Sequence, residues 1–482
     1  MRRSAFALLP PLVLLALALV VRLRQHHAAL LYPDGYQYLL MARGIGEHLQ
    51  PTTVLGPGGE AFVPSPDAAV KPFFPLLVAG AHAVGLPWLD AARIVTAVAA
   101  AFAVLAVTLL VTKLSGSTLA GLGAGLLLVA SPGLGFWSGF SGPDPVAEAL
   151  ALGAALAFVH RRPRTGGILT GLAIATRPEI AVVALAVAIV SIRSEDARRD
   201  VVRAAPETIV TTGLVYLVLR TPVTVENWHL LWLAPVVVGL AAASIIVPDR
   251  LLRYAVIASA APALLVLGTQ SGPQLVWQHD WPLIVVGAAG LVLLVRSERG
   301  ATIACVALGI VLLLGAVYAL KNPSLERYFA LLLPAAAVLA GVGVASLPLQ
   351  LRPVALGAVA LAIVGSVLRP VPGSRDYDMF SVVARQVAPS LTSAPLITAA
   401  PDAYGFWLPS HTVRAMQPGA RGAVLLDAAQ RAYEPNLTAT GTVVRRIQDE
   451  IAFSRTNGDI DAAPAVLVRG RVLVARRSSA TR

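Results

Sequence analysis

One cysteine, Cys305, is all that the 482 residues contain. It falls inside an apolar run, so an intramolecular disulfide is excluded and the redox compartment cannot be inferred. Stability must come from packing. Charge is also scarce: 13% of residues are Asp, Glu, Lys or Arg, against 56% hydrophobic. That balance excludes an ordinary soluble domain. Acids are the scarcer sign, 26 against 38 Lys and Arg, for a net charge of +12. The arginines cluster at the ends of apolar runs, as orientation signals do, so nucleic acid is not the implied partner. Recognisable catalytic signatures are missing too. There is no GxxxxGK[ST], no GxGxxG after a strand and no GxSxG. His26, His27, His48, His229, His279 and His411 show neither HExxH nor paired-CxxC company, so they read as surface or interface residues and assign no metal.

What the chain does have is apolar runs, recurring to about residue 368 with short charged connections. The expectation is a polytopic helical membrane protein. Residues 4–24 read as a retained anchor and not as a cleaved signal, because Arg22 and Arg24 follow the apolar core where a small-residue cleavage site would stand. With Arg2 and Arg3 inside, residues 25–71 form a long external loop, of a length that is commonly functional or disordered. A short apolar piece opened by Lys71-Pro72-Phe73-Phe74-Pro75 and running to Gly85 is expected at the membrane surface. Spans are expected at 88–112, 118–137, 145–160, 204–219, 229–247, 254–270, 281–295, 300–319, 329–347 and 353–368. The run 166–192 is flanked at both ends by basic clusters and interrupted by Arg177-Pro178-Glu179. Two short, broken helices returning to the same side fit those charges, a device tolerated where it lines a cavity. Counted so, there are thirteen spans in a domain of residues 1–368. Residues 369–482 turn mixed and polar, with strand-like pieces at 395–398, 423–426 and 465–468, and read as a small extracytoplasmic α/β domain.

Several residues could carry chemistry. Asp34, in the first external loop, shares a helix face with Tyr38 and Ala42 by four-residue spacing. Its spacing to Gln37 is that of a capping box, so it is a helix cap, a catalytic base, or both. Arg177, in mid-run, carries an insertion cost of about 2.5–3.5 kcal/mol that something must offset. Its partner is Glu179, a helix-end carbonyl, or an anionic ligand in a wet cavity. Lys321 and the run Glu326-Arg327-Tyr328 stand at an external mouth where basic residues run against the orientation rule, as an interfacial anchor or as an anion site. Asp144 opens a span with Glu148 one turn on, and helix capping is its default reading.

The sequence resembles the GT-C superfamily of membrane glycosyltransferases, in particular the branch of protein mannosyltransferases and lipid A aminoarabinose transferases. The resemblance is carried, in order over residues 1–345, by Asp34-x-x-x-Tyr38-x-x-x-Ala42, Lys71-Pro72-Phe73-Phe74-Pro75, the segment 81–93, Ser131-Pro132 through Asp144, Gly171 through Glu179, and Glu326-Arg327-Tyr328-Phe329 to Pro334. It implies a polyprenyl-phosphate-linked sugar donor, transfer outside the cytoplasm to a glycan, lipid or protein acceptor, and Asp34 as the catalytic base. Tyr38, Lys71, Asp144, Arg177, Glu179, Lys321, Arg327 and Tyr328 are the expected substrate-binding residues. Gly35 follows Asp34 where the family often has a second acid, which weakens an acid-pair metal site; a divalent cation is the one cofactor left open. The rival reading is a transporter or flippase for a lipid-linked or anionic substrate, since a charged residue in a broken helix also marks a translocation site.

Overall fold

Alanine-, leucine- and glycine-rich stretches with few acids make helices that pack by close backbone approach, and the protein is built mostly of them. The computed structural model describes residues 2–24, 33–51, 53–54, 61–62, 71–138, 142–191, 194–220, 271–296, 333–368, 379–391, 393–454 and 460–474. Lys321, Arg327, Tyr328 and the expected spans at 229–247, 254–270 and 300–319 lie outside these residues.

In chain order the elements are α1 (Arg2–Arg24), α2 (Pro33–His48), a two-stranded hairpin of β1 (Thr53–Val54) and β2 (Ala61–Phe62), α3 (Phe73–Ala83) and α4 (Trp88–Ser115). Then follow α5 (Thr118–Ala130), α6 (Pro132–Ser138), α7 (Asp144–Val159), α8 (Pro163–Thr176), α9 (Ile180–Ser191) and α10 (Glu195–Val218). After these come α11 (Ser271–Arg296), α12 (Leu333–Ser346) and α13 (Arg352–Val367). Among the described residues, α4 and α10 are long and apolar enough to cross a membrane. Large apolar side chains on α10 and α13, among them Ile209, Leu217 and Leu361, face outward.

The run expected as one span at 118–137 is divided, because Pro132 stops α5 at Ser131 and starts the short α6. The helix expected at 204–219 begins earlier, at Glu195, where the Ser194 hydroxyl accepts the Ala197 N–H. Close contact sets the register elsewhere. α11 and α12 meet backbone to backbone at Gly290 and Gly343, where a Cβ on Gly343 would overlap the Gly290 Cα.

The break at Arg177 has a definite geometry. Thr208 and Thr212 hydroxyls of α10 donate to the Gly167 and Gly171 carbonyls of α8, each at 3.1 Å. Nearer the start of both helices, Arg161 reaches Asp200 at 3.0 Å and Arg164 reaches Glu207 at 3.3 Å. Residue numbers rise together along the two helices, so α8 and α10 run parallel. The intervening α9 therefore runs back, and the segment from Pro163 to Ser191 is two short antiparallel helices with Arg177 at their shared end.

The C-terminal part contains α14 (Met379–Val387), α15 (Pro401–Trp407), α16 (Ala428–Tyr433) and strands β3 (Leu396–Thr398), β4 (Val413–Ala415), β5 (Arg421–Leu426), β6 (Leu437–Ser454) and β7 (Ile460–Val474). They form one mixed sheet of order β4-β3-β5-β7-β6, parallel between β3 and both β4 and β5, and antiparallel between β5, β7 and β6. The core of this part is continuous with the helices: Phe380, Ala403, Tyr404 and Phe406 belong to one buried cluster with Tyr36, Tyr38, Phe74, Ala91, Val146 and Leu219.

Candidate functional site

Helix ends collect the buried charge. α1 runs alongside α4 and α5 and carries in its last turn Arg22, which is 1% exposed and donates from Nη2 to the Leu128 carbonyl at 2.7 Å. The carbonyl belongs to the last turn of α5, where a cation suits the helix dipole. Next to it the chain turns at Ser131 and Gly133, and both donate to Asp280: the Ser131 hydroxyl to Oδ1 at 2.6 Å and the Gly133 N–H to Oδ2 at 3.0 Å. Asp280 is fully buried, and its own backbone leaves helical geometry (φ −120°, ψ 15°) to kink α11 two residues before Pro282.

Arg177 occupies the break between α8 and α9, and its side chain is 5% exposed. Its Nη2 pairs with Asp144 Oδ1, and its Nη1 lies 3.7 Å from Glu179 Oε1. The flanking carboxylates are nearly as buried, at 14% and 11%. Glu148 sits one turn after Asp144 on α7, is 8% exposed, and its Oε1 is buried without a hydrogen bond. Asp144 thus differs from the cap expected of it. It is the first residue of α7, behind Pro143 at the N-cap position, and that cap makes no side-chain bond. Its carboxylate is drawn instead to the guanidinium that the broken helix presents.

Asp34 stands in the first turn of α2, which begins at Pro33, a favoured first helical residue. Asp34 therefore stands two residues past the N-cap position expected of it. The side chain of Asp34 lies outside the described residues. The face it begins is real: Tyr38 and Ala42 are 6% and 0% exposed. Tyr38 sets its ring edge-to-face on Phe74, centroids 5.5 Å apart, so it packs in the core of this end of the molecule. Lys71 is half-buried just ahead of α3. α2 shares its buried cluster with Val146, which lies between Asp144 and Glu148.

Asp144, Arg177 and Glu179 of the sequence-derived set are thus brought together. Arg22 and Asp280 are additions. Arg22 reads in the sequence as an orientation charge, and Asp280 as the tail of a polar connection. The signal for Asp280 is a single acid two residues before a proline that opens an apolar run.

No protein-family profile and no curated protein sequence matches the chain. Solved structures do. The archaeal oligosaccharyltransferase AglB from Archaeoglobus fulgidus, in complex with an inhibitory peptide and a dolichol-phosphate, aligns at TM-score 0.53 and 13% identity. The alignment covers 85% of this chain and 64% of that one. The same enzyme in complex with Zn and sulfate gives TM-score 0.51 at 14% identity, over 83% and 62% of the two chains. ArnT from Cupriavidus metallidurans bound to undecaprenyl phosphate gives 0.45 at 15% identity over 95% and 97%. The chain shares the fold of GT-C glycosyltransferases and spans less than two thirds of the length of the oligosaccharyltransferase it matches. As for a metal, among the described residues no three His, Cys, Asp or Glu side chains stand together. Asp144 is engaged by Arg177.

Proposed function

We propose that the protein is an inverting glycosyltransferase of the extracytoplasmic face, moving a sugar from a polyprenyl-phosphate carrier to a hydroxyl on a glycan, lipid or protein acceptor. The observation that carries this reading is the gathering of buried charge, the Arg177 pair above all, beside a helix, α7, whose Val146 shares a buried cluster with α2. Fold likeness to a transferase solved with dolichol-phosphate supports it by analogy. The chain is read as multi-pass in the plasma membrane, with the N-terminus cytoplasmic and residues 369–482 outside.

The chemistry needs little. The acceptor oxygen attacks the anomeric carbon, and Asp34 takes the hydroxyl proton as the new glycosidic bond forms. The bond from that carbon to the phosphate oxygen breaks on the opposite face, and its electron pair leaves with the polyprenyl phosphate. One in-line displacement inverts the centre. A phosphate leaving group needs positive charge, not a general acid. Arg327, with Lys321, is assigned to that phosphate. Arg177 also faces the donor, and there the lipid phosphate competes with Asp144 for the guanidinium.

Transfer of labelled sugar from a polyprenyl-phosphate donor by the purified protein tests the reading, wild type against Asp34→Asn. Loss of turnover by roughly two to four orders of magnitude is expected for removal of a general base. A correctly folded Asp34→Asn protein with full activity leaves Asp34 a structural residue. The broken α8–α9 pair is the feature a transporter would share. Uptake of the carrier without sugar transfer would favour that second reading.

A further inference from the structure

α2 is gripped from two sides. On one, Tyr38 meets Phe74 of α3. On the other, the C-terminal part holds Tyr36, which is 1% exposed. Its ring lies 5.5 Å from Phe380 of α14, edge-on at 80°, and 5.5 Å from Phe406 of α15. The Trp407 indole N–H donates to the Tyr36 hydroxyl oxygen at 3.0 Å. Seven residues along the same helix face, the Arg43 guanidinium sits over the Phe406 ring, 5.1 Å from its centroid. The contacts at Tyr36 and Arg43 define a stripe along α2, and a helix held along a stripe cannot turn about its own axis.

That stripe fixes where the first turn faces. Residues two apart on a helix differ by about 200° of azimuth. Holding Tyr36 against the C-terminal part therefore directs the Asp34 position to the opposite side of α2. We infer that α15 of the C-terminal domain is a positioning element for α2, with Trp407 and Tyr36 as positioning residues that set the rotation of the turn bearing Asp34. The inference rests on the reading of Asp34 as the base. It gives the domain a part in turnover without contact with the sugar.

The test uses the full-length protein and three variants: Trp407→Phe, Tyr36→Phe and the pair. The readouts are kcat and donor KM for sugar transfer, melting temperature, and amide exchange along residues 33–48. Each single change is expected to lower kcat by up to about a hundredfold with donor KM unchanged, the loss that a 1 Å misplacement of a catalytic group can give. The double change should be no worse than either single one, because both remove the same bond. Exchange should rise in α2 and stay unchanged in α4. Trp407→His, which keeps a ring N–H, should recover part of the rate. Unchanged kcat with unchanged α2 exchange overturns the inference, and so does a loss that tracks melting temperature with exchange rising throughout. If Trp407→Phe does not fold, Tyr36→Phe removes only the acceptor oxygen and carries the same test. If the wild type transfers no sugar, the catalytic reading fails by itself. Exchange in α2 then decides the positioning alone, upheld by a local rise and overturned by none.

Discussion

Arg177→Gln is the most severe single change expected at the buried charges. The guanidinium stands between two carboxylates, Asp144 and Glu179, that are 14% and 11% exposed. Removing it leaves both anions side by side in a site with little access to water. Breaking a buried pair by deleting one partner costs about 3–5 kcal/mol, and removing the guanidinium from two acids at once puts this variant at the upper end. Asp144→Asn should cost less, because Arg177 keeps Glu179 at 3.7 Å. Glu179→Gln should cost least, since its contact with Arg177 is the longer of the two. Arg177→Lys should rescue poorly, because an ammonium cannot fork toward two acids. The pair Arg177→Gln with Asp144→Asn should recover about 2 kcal/mol relative to the Gln change alone, a coupling within the range for directly contacting residues. Melting temperatures of the detergent-purified variants, read against wild type in one buffer, give the order. A single Arg177→Gln as stable as wild type, or a double variant no better than the single, refutes the account of these charges as mutually compensating.

Two further outcomes follow from packing and proton binding. Gly343→Ala puts a methyl group into the Gly290 backbone, and forced overpacking of this kind costs about 1–3 kcal/mol; Val359→Ala on the neighbouring α13, which only vacates space, serves as the contrast in the same melt. Asp427 is buried, receives the Tyr404 hydroxyl at 2.5 Å and caps α16 through the Gln430 N–H at 2.8 Å. Burial pushes its carboxyl up from the ordinary 3.8, against the downward pull of those hydrogen bonds. The native state therefore holds this proton longer than the unfolded chain. The contribution is fully present below the unfolded value and declines as pH rises through the folded one. Melts of the full-length protein at increasing pH above 3.8 should show that decline, and Asp427→Asn should flatten it. An unchanged slope in the variant assigns the pH dependence to another group.

Which residues could be read in advance follows from how local their causes are. The return of α9 was legible, because basic clusters at both ends of 166–192 and the Arg-Pro-Glu interruption are local, and the parallel register of α8 and α10 has the same consequence. The pieces at 395–398, 423–426 and 465–468 coincide with β3, β5 and β7. β6, with arginines at 445 and 446 and little alternation, gave no such signal; its pairing is supplied by β7. Asp144 looked like a cap because capping is read from neighbours in sequence, whereas its partner lies 33 positions away. Asp280 and Arg22 were illegible for the same reason: the Ser131, Gly133 and Leu128 groups that satisfy them are on α5 and its following turn. Tyr38, expected among the substrate-binding residues, packs edge-to-face on Phe74.

The doubled-back pair of α8 and α9 also bears on how deep a reaction can sit. With 14 residues, α8 rises about 21 Å, and α9, with 12, about 18 Å. A bilayer's hydrocarbon slab is about 30 Å thick, so a hairpin that starts at one surface turns roughly 10 Å short of the other. In the membrane setting proposed above, Arg177 would lie roughly 10 Å below the far surface of the slab. A carrier anchored by its isoprenoid tail could then bring its phosphate below the headgroup plane while the tail stays in the acyl region. An acceptor hydroxyl would arrive from water above, so the two substrates would meet at a depth set by the length of two helices.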